Sequence, residues 1–513
     1  MKRNLLTILL AALLLTPSLV SCGGGETQET AADTAVQGEV GANTEADLFA
    51  EYRGINLGGR TVKISVSSNI SENGGGMPAS YPYIAGPEEM TGESVQDSVF
   101  QRNMEVEEML NCKLQHEALD LNYDQVQPHI ESLVLSGDAA VDYYVNDQLG
   151  LLHCGLKGYL LDLADSSSFG EYHFDLDSDV YYSEYMQQLS VGDKRFIITG
   201  DYFIDTMRAA HVLYLNKNIV SELYGDANYV YNLVLDDAWT MAKMNEMITE
   251  AYQDTNGDGT ADENDVFGLT GHSQGWAFPY YAFYYSTDCK VVSFDDKGLP
   301  YINESCQENL SKMAELLIAT DSSIGIWKTT SVADSLKKFV NGQAMLTFFQ
   351  KVGDMEQASI RDFDGMGVVP YPKMDEEQEM YRTLVHDTAE MGAVPVTTVG
   401  EAATAVSAVI QVLSVHAHEY LLEGYYEVAL KSKYAQDAYT AQMLDLVVAG
   451  ISAPFEFAYE LGFGTDSFLK TITFQPIADS ITKGTDVTAS TFVTLLPGAQ
   501  TGLQELIRIY EGN

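Results

Sequence analysis

Residues 61–67 read TVKISVS, and the fold is decided by how the chain continues from this run. Its β-branched residues mark a strand. Apolar residues then recur at helical spacing from Val95 to Leu110, with acidic side chains on the outer face, and a second strand is expected from Cys112 to Ala118. A helix over Val126–Leu135, a Ser136-Gly137-Asp138 turn and a third strand over Val141–Val145 continue the alternation. Parallel strands need a crossover that a helix supplies, so strand and helix in alternation predict a mainly parallel sheet covered by helices.

Further along, strands are expected at Lys194–Gly200, at His211–Asn216 (HVLYLN), at Ala344–Phe349 (AMLTFF) and at Gly365–Pro370. Helices are expected after Asn216-Lys217, after Trp239 with Thr240 as N-cap, and over Glu308–Ala319, Val332–Val340, Ala402–Tyr426, Val428–Tyr434 and Thr440–Ala449. Late helices behind an alternating core imply two α/β lobes with the chain crossing between them more than once. Lobe 1 is assigned to 59–205 and 350–400, and lobe 2 to 206–349 and 401–513.

The chain has 513 residues, enough for two or three domains. It carries 74 Asp and Glu against 28 Lys and Arg, a formal charge of −46, which repels phosphate backbones and argues against nucleic-acid binding. The chain begins with Lys2-Arg3, an apolar run from Leu5 to Leu15, and Leu19-Val20-Ser21-Cys22. That run is too short to span a bilayer as a mature helix and reads as a secretory signal. Residues 23–58, rich in Gly, Ala, Thr and Glu, read as a flexible tether. Cys112, Cys154, Cys289 and Cys306 are too few for a disulfide scaffold; pairing and buried free thiols both stay open.

Residues 254–265, DTNGDGTADEND, match the spacing of an EF-hand calcium loop. Asp254, Asn256, Asp258 and Asp262 offer side-chain oxygens at loop positions one, three, five and nine, and Gly259 takes the sharp turn. Thr260 offers a backbone carbonyl, and Asp265 stands at the twelfth position in place of the usual Glu, which shortens one ligand. A hard cation needs six to eight oxygens converging on one point, so a structural calcium ion is expected here; a metal-free acidic turn is the competing reading. No long amphipathic helix pair flanks the loop, which argues against calcium sensing. A dense aromatic cluster, WAFPYYAFYY at 276–285, comes after it.

No Gly-x-Ser-x-Gly, His-Glu-x-x-His or phosphate-cradling glycine loop is present, so no enzyme activity is expected. His416 and His418 lie at i and i+2 of an expected helix and do not share a face.

Together these residues resemble a family, the extracellular solute-binding lipoproteins of bacterial ABC importers, in the carbohydrate-type group that includes maltose-binding protein. The resemblance rests on markers in the family's order. They are a lipobox-like Leu-Val-Ser-Cys ending at Cys22, QDSVFQRNMEVEE at 96–108, the Ser136-Gly137-Asp138 turn, the strand ending in Asn216-Lys217, Trp239-Thr240, and the calcium-like loop. FVNGQAM at 339–345, the Gly-Val-Val-Pro segment leading to Pro372-Lys373, and EVALKSKYAQDAYTAQMLDL from Glu427 complete the series.

The resemblance implies a two-lobed, type II periplasmic-binding-protein-like α/β fold with an inter-lobe cleft that closes on a sugar or oligosaccharide. It also implies delivery to ABC importer membrane subunits, a lipid anchor on Cys22 at the outer face of the bacterial cell membrane, and a monomer. Carried residue by residue, it points to Tyr202, Trp276, Tyr280 and Phe349 as cleft aromatics, with Trp327 added as a rare large aromatic and Asp201 and Asp205 as polar contacts. Pyranose rings stack on aromatic faces, yet several of these aromatics have core packing as an equal alternative. Trp239 is assigned to packing. A surface glycan-binding protein without a transporter is the alternative function.

Overall fold

The computed structural model describes residues 49–68, 80–121, 123–272, 280–387, 389–434, 437–459 and 468–512, all within one compact unit, Leu48–Asn513. Among these residues, two main sheets are built from strands β1 (Arg60–Ser67), β2 (Cys112–Leu119), β3 (Tyr143–Asp147), β4 (His211–Asn216), β5 (Phe267–His272), β6 (Ile326–Thr329), β7 (Ala344–Lys351), β8 (Met366–Val369) and β9 (Glu390–Ala393).

The first sheet has the order β9-β3-β1-β2. Strand β1 pairs in parallel with both β2 and β3, and β9 runs antiparallel to β3. The helix Ser94–Leu110 makes the first crossover. Glu93 caps it by accepting from the Gln96 amide, and Asn111, with φ of 47°, turns the chain into β2 in the left-handed region that Asn tolerates better than most residues. Its buried stripe of Val95, Val99, Val106 and Leu110 packs in the same core as Val62, Ile64 and Val66 of β1. The alternation read from the sequence is therefore present, with the strand at 61–67 extended by one residue.

The second sheet has the order β8-β4-β7-β5-β6. Strands β5, β6 and β7 are parallel, whereas β4 runs antiparallel to β7 and β8. Trp239 is fully buried with its indole N–H donated to the Pro370 carbonyl at 2.9 Å, and Thr240 caps the next helix through the Lys243 amide.

Three expectations need correction. The tether expected over 23–58 ends sooner, because Ile55 is buried in the core with β1 and the Leu57 amide donates to the Leu110 carbonyl at 2.8 Å. The strand expected at Lys194–Gly200 forms only single-residue bridges, among them Ile198 with Gly392 of β9, because turns on either side limit the pairing. The lobe boundaries also differ. Strand β8 pairs with β4, Met366 opposite Asn216, so 350–369 belongs largely to the second sheet and only β9 returns to the first. The helix Glu401–His416, assigned to lobe 2, instead packs on Ser94–Leu110 and β1 and places Val406, Val409 and Leu413 in the first core. The helices Phe468–Lys483 and Thr488–Glu511 do pack with Gln307–Ser322 over the second sheet. The chain thus passes between the sheets after Asp201, again between β8 and β9, and once more after His416.

Candidate functional site

In α/β folds, ligands meet the carboxyl ends of parallel strands, where loops and helix starts present side chains and backbone amides. Here the carboxyl ends of β3 (Asp147) and β7 (Lys351) come together with the starts of β4 (His211) and β9 (Glu390). The connecting backbone is knitted tightly. The His386 amide donates to the Ala209 carbonyl at 2.9 Å, Gln148 to Ala389 at 2.9 Å, and Val352 to Ala210 at 3.0 Å. Side chains reinforce this, with Gln148 Nε2 donating to the His386 carbonyl and Tyr185 Oη donating to Gln148 Oε1.

A cluster of rings fills the junction. The His211 imidazole stacks on His386 with centroids 5.3 Å apart, lies 5.2 Å from Phe349, and meets Tyr281 edge-on at 5.7 Å. His211 is fully buried and neither of its ring nitrogens has a hydrogen-bond partner among the described residues. Burial first, then His386 and Lys351, hold its pKa far below the usual histidine range, so the ring is neutral. His386 lies 2.9 Å from Asp387. Burial opposes the Asp387 charge, but His386 beside it prevails and keeps that carboxylate ionised.

Phe349 adopts φ of 66°, a left-handed conformation that costs a non-glycine residue about 1–3 kcal/mol and that clusters at functional sites. Its amide donates to Tyr371 Oη at 2.8 Å, which holds the conformation in place. Asp147 caps the helix Gln148–Leu156 through the Gly150 amide, and burial, with Asp387 adding to it, pushes its carboxyl up to about 7.

The site residues expected from sequence have different fates. Phe349 does reach the junction. Asp205 is also there, as a buried ion pair with Arg208 at 3.0 Å and as acceptor from the Glu390 amide at 2.9 Å. Asp201 is buried beside the junction and pairs with His418.

Tyr202 is instead core. It is fully buried in the first lobe, with the Arg102 guanidinium 4.7 Å from its ring and Phe203 edge-on. Tyr280 is buried against Phe348, rings stacked at 5.7 Å, and donates to Asp321 at 2.8 Å. Trp327 lies on β6 against Phe267, under Lys338, whose ammonium donates to the Glu263 carbonyl of the acidic loop; the indole therefore supports that loop rather than the junction. Trp276 and Cys22 lie outside the described residues.

The sequence reading missed His211, His386, Asp387, Asp147 and Arg208. A polar residue opening an otherwise apolar strand, His211 in HVLYLN, was the one available signal.

The acidic loop is pre-shaped by its own side chains. Asp254 accepts from the Gly257 and Gly259 amides, Asn256 from Asp258, Asp258 from Thr260, and Asp262 from Asn264. Gly257 and Gly259 have φ of 73° and 78°, which only glycine adopts freely. The Asn256 amide nitrogen donates to Asp258 Oδ2 at 3.1 Å and to Asp262 Oδ2 at 3.0 Å, so two carboxylates of the loop turn toward one side chain. This donor set suits a hard cation. Asp265 does not join it: its oxygens accept from the Thr255 and Asp262 amides and from Tyr252 Oη. Among the described residues no group of three or more His, Cys, Asp or Glu side chains is already drawn together around a metal position.

No family model and no curated protein sequence matches the chain. Solved structures do share its fold. A cyclo/maltodextrin-binding protein complexed with maltotetraose aligns over 88% of this chain and 97% of its own at a TM-score of 0.51 and 11% identity. UgpB from Mycobacterium tuberculosis, in complex with glycerophosphocholine, aligns over 81% of this chain and 98% of its own at 0.50 and 16% identity. The likeness shows the fold: the two-lobed α/β architecture of type II periplasmic binding proteins.

Proposed function

We propose that this protein is an extracellular solute receptor that captures a sugar or oligosaccharide between its two lobes by hinge closure and hands it to an ABC importer. The observation that carries this reading is the junction itself. Two α/β lobes are joined by crossing segments, and their strand ends converge on a strained Phe349, the neutral His211 and flanking carboxyl groups. A neutral imidazole both donates and accepts, which matches a hydroxyl group, and rings beside it suit the CH face of a pyranose. The maltotetraose carried by a protein of the same fold supports this solute class. Binding and closure need no nucleophile, so the reading assigns no catalysis.

The reading includes a lipid anchor on Cys22, supported by the Leu-Val-Ser-Cys ending. It also includes a structural calcium ion held by Asp254, Asn256, Asp258, the Thr260 carbonyl and Asp262, with Asp265 closing the loop behind them.

Titration calorimetry of residues 48–513 against mono- and oligosaccharides, oligopeptides and polyamines tests the solute class. Micromolar or tighter binding of a sugar is expected. Tight binding of another class and none of any sugar would remove the carbohydrate assignment, and polymer binding without lobe closure would favour a surface glycan-binding protein instead.

A further inference from the structure

Arg208, on the crossing segment, is fully buried, and its guanidinium is committed on every side. Nε and Nη2 donate to the two oxygens of Glu356 at 2.9 and 3.2 Å, and Nη1 donates to Asp205 at 3.0 Å. The guanidinium carbon lies 4.4 Å from the centre of the Tyr83 ring. Glu356 is equally committed: Tyr425 Oη donates to Oε1 at 2.8 Å and Tyr83 Oη to Oε2 at 3.0 Å, so each carboxylate oxygen holds two donors.

The elements that meet here belong to different parts of the molecule. Tyr83 lies on a short helix packed on Ser94–Leu110 of the first lobe, and Tyr425 belongs to a helical segment packed on that same helix. Glu356 ends the turn after β7, a central strand of the second sheet. Asp205 accepts from Glu390 at the head of β9, on the returning crossover. One buried cation therefore ties the outgoing crossover, the returning crossover, the first lobe and the second.

A bidentate pair whose remaining lone pairs are filled resists gradual loosening. Withdrawing Glu356 takes the bidentate carboxylate from a buried guanidinium and the acceptor from two tyrosine hydroxyls at once, so the contact is either made or lost. We propose that Arg208 and Glu356 form a hinge clasp that sets the resting angle between the lobes, with Arg208 as its positioning residue. For its effect on solute affinity the proposal rests on the receptor reading above; for the resting angle it does not.

The test is small-angle scattering of the ligand-free protein, with the melting temperature recorded alongside. The Tyr83→Phe/Tyr425→Phe variant keeps both rings and removes two of the four donors to Glu356, so it leaves packing intact. Arg208→Lys keeps the charge and removes the fork. The expected result is a radius of gyration shifted from wild type beyond error in both variants and, where a solute is known, a dissociation constant changed by about tenfold. If Arg208→Lys does not fold, the double variant decides alone. A lowered melting temperature with wild-type scattering in the folded variants would overturn the clasp and leave Arg208 a packing residue. A shifted angle in a protein that binds no member of the solute panel would keep the clasp and remove the receptor reading, so the two fail separately.

Discussion

Tyr202 shows what a single residue's surroundings decide. Read along the chain it is an aromatic beside two aspartates at a lobe crossing; in space its ring lies against Arg102 and its hydroxyl is buried without a hydrogen-bond partner among the described residues. A buried, unsatisfied hydroxyl costs about 1–3 kcal/mol, so Tyr202→Phe is expected to raise stability by about 1 kcal/mol in chemical denaturation and to leave solute affinity unchanged. A drop in affinity would return Tyr202 to the cleft. Asp147 gives a second residue-scale test. Its carboxyl titrates near pH 3.9 when unfolded and about 7 in the fold, so the folded state binds the extra proton between those values. Stability from this group is complete below about pH 4 and is lost as pH rises through about 7. Asp147→Asn keeps an oxygen for the Gly150 amide, and its melting temperature should gain on wild type between pH 4 and pH 8; parallel profiles would rule out the shift. Phe349 was legible as a candidate only through resemblance. Its left-handed backbone leaves no mark in the sequence, because the conformation is imposed by Tyr371 and by neighbouring rings from distant segments.

Among elements, the regular strands and capped helices were the most legible. Helix 332–340 and strand 211–216 stand where periodicity placed them, since the signal and its cause are both local. The strand expected at 194–200 was not legible as a bridge, because its partner Gly392 lies far along the chain. The acidic loop combines both cases. Its turn ladder arises from the spacing of Asp, Asn and Gly, whereas its attachment to the second sheet depends on Lys338 and Gln343, which both donate to the Glu263 carbonyl. Trp327 lies under Lys338, so filling the loop with calcium should change its fluorescence and raise the melting temperature, because an ion bound only by the folded state stabilises it. Both signals should vanish in Asp258→Ala. An unchanged melt and spectrum on adding calcium to protein shown to be metal-free would exclude the ion. Asp265→Ala, which removes the acceptor for the Thr255 and Asp262 amides, should lower the melting temperature in chelator as well as in calcium.

At the scale of the whole molecule, two α/β lobes could be read from the alternation of strands and helices, but their boundaries could not. Nothing local distinguishes β8, which pairs with β4 of the second sheet, from β9, which returns to the first; only pairing across more than a hundred residues separates them. The same long-range closure assembles the junction from several separate stretches, and for that reason most of its side chains escaped the sequence reading. The central claim concerns motion: the lobes close on a solute. Small-angle scattering of the protein with and without a saturating sugar identified by calorimetry measures that motion directly. The expected result is a smaller radius of gyration with sugar bound, and tight sugar binding with an unchanged radius would contradict it.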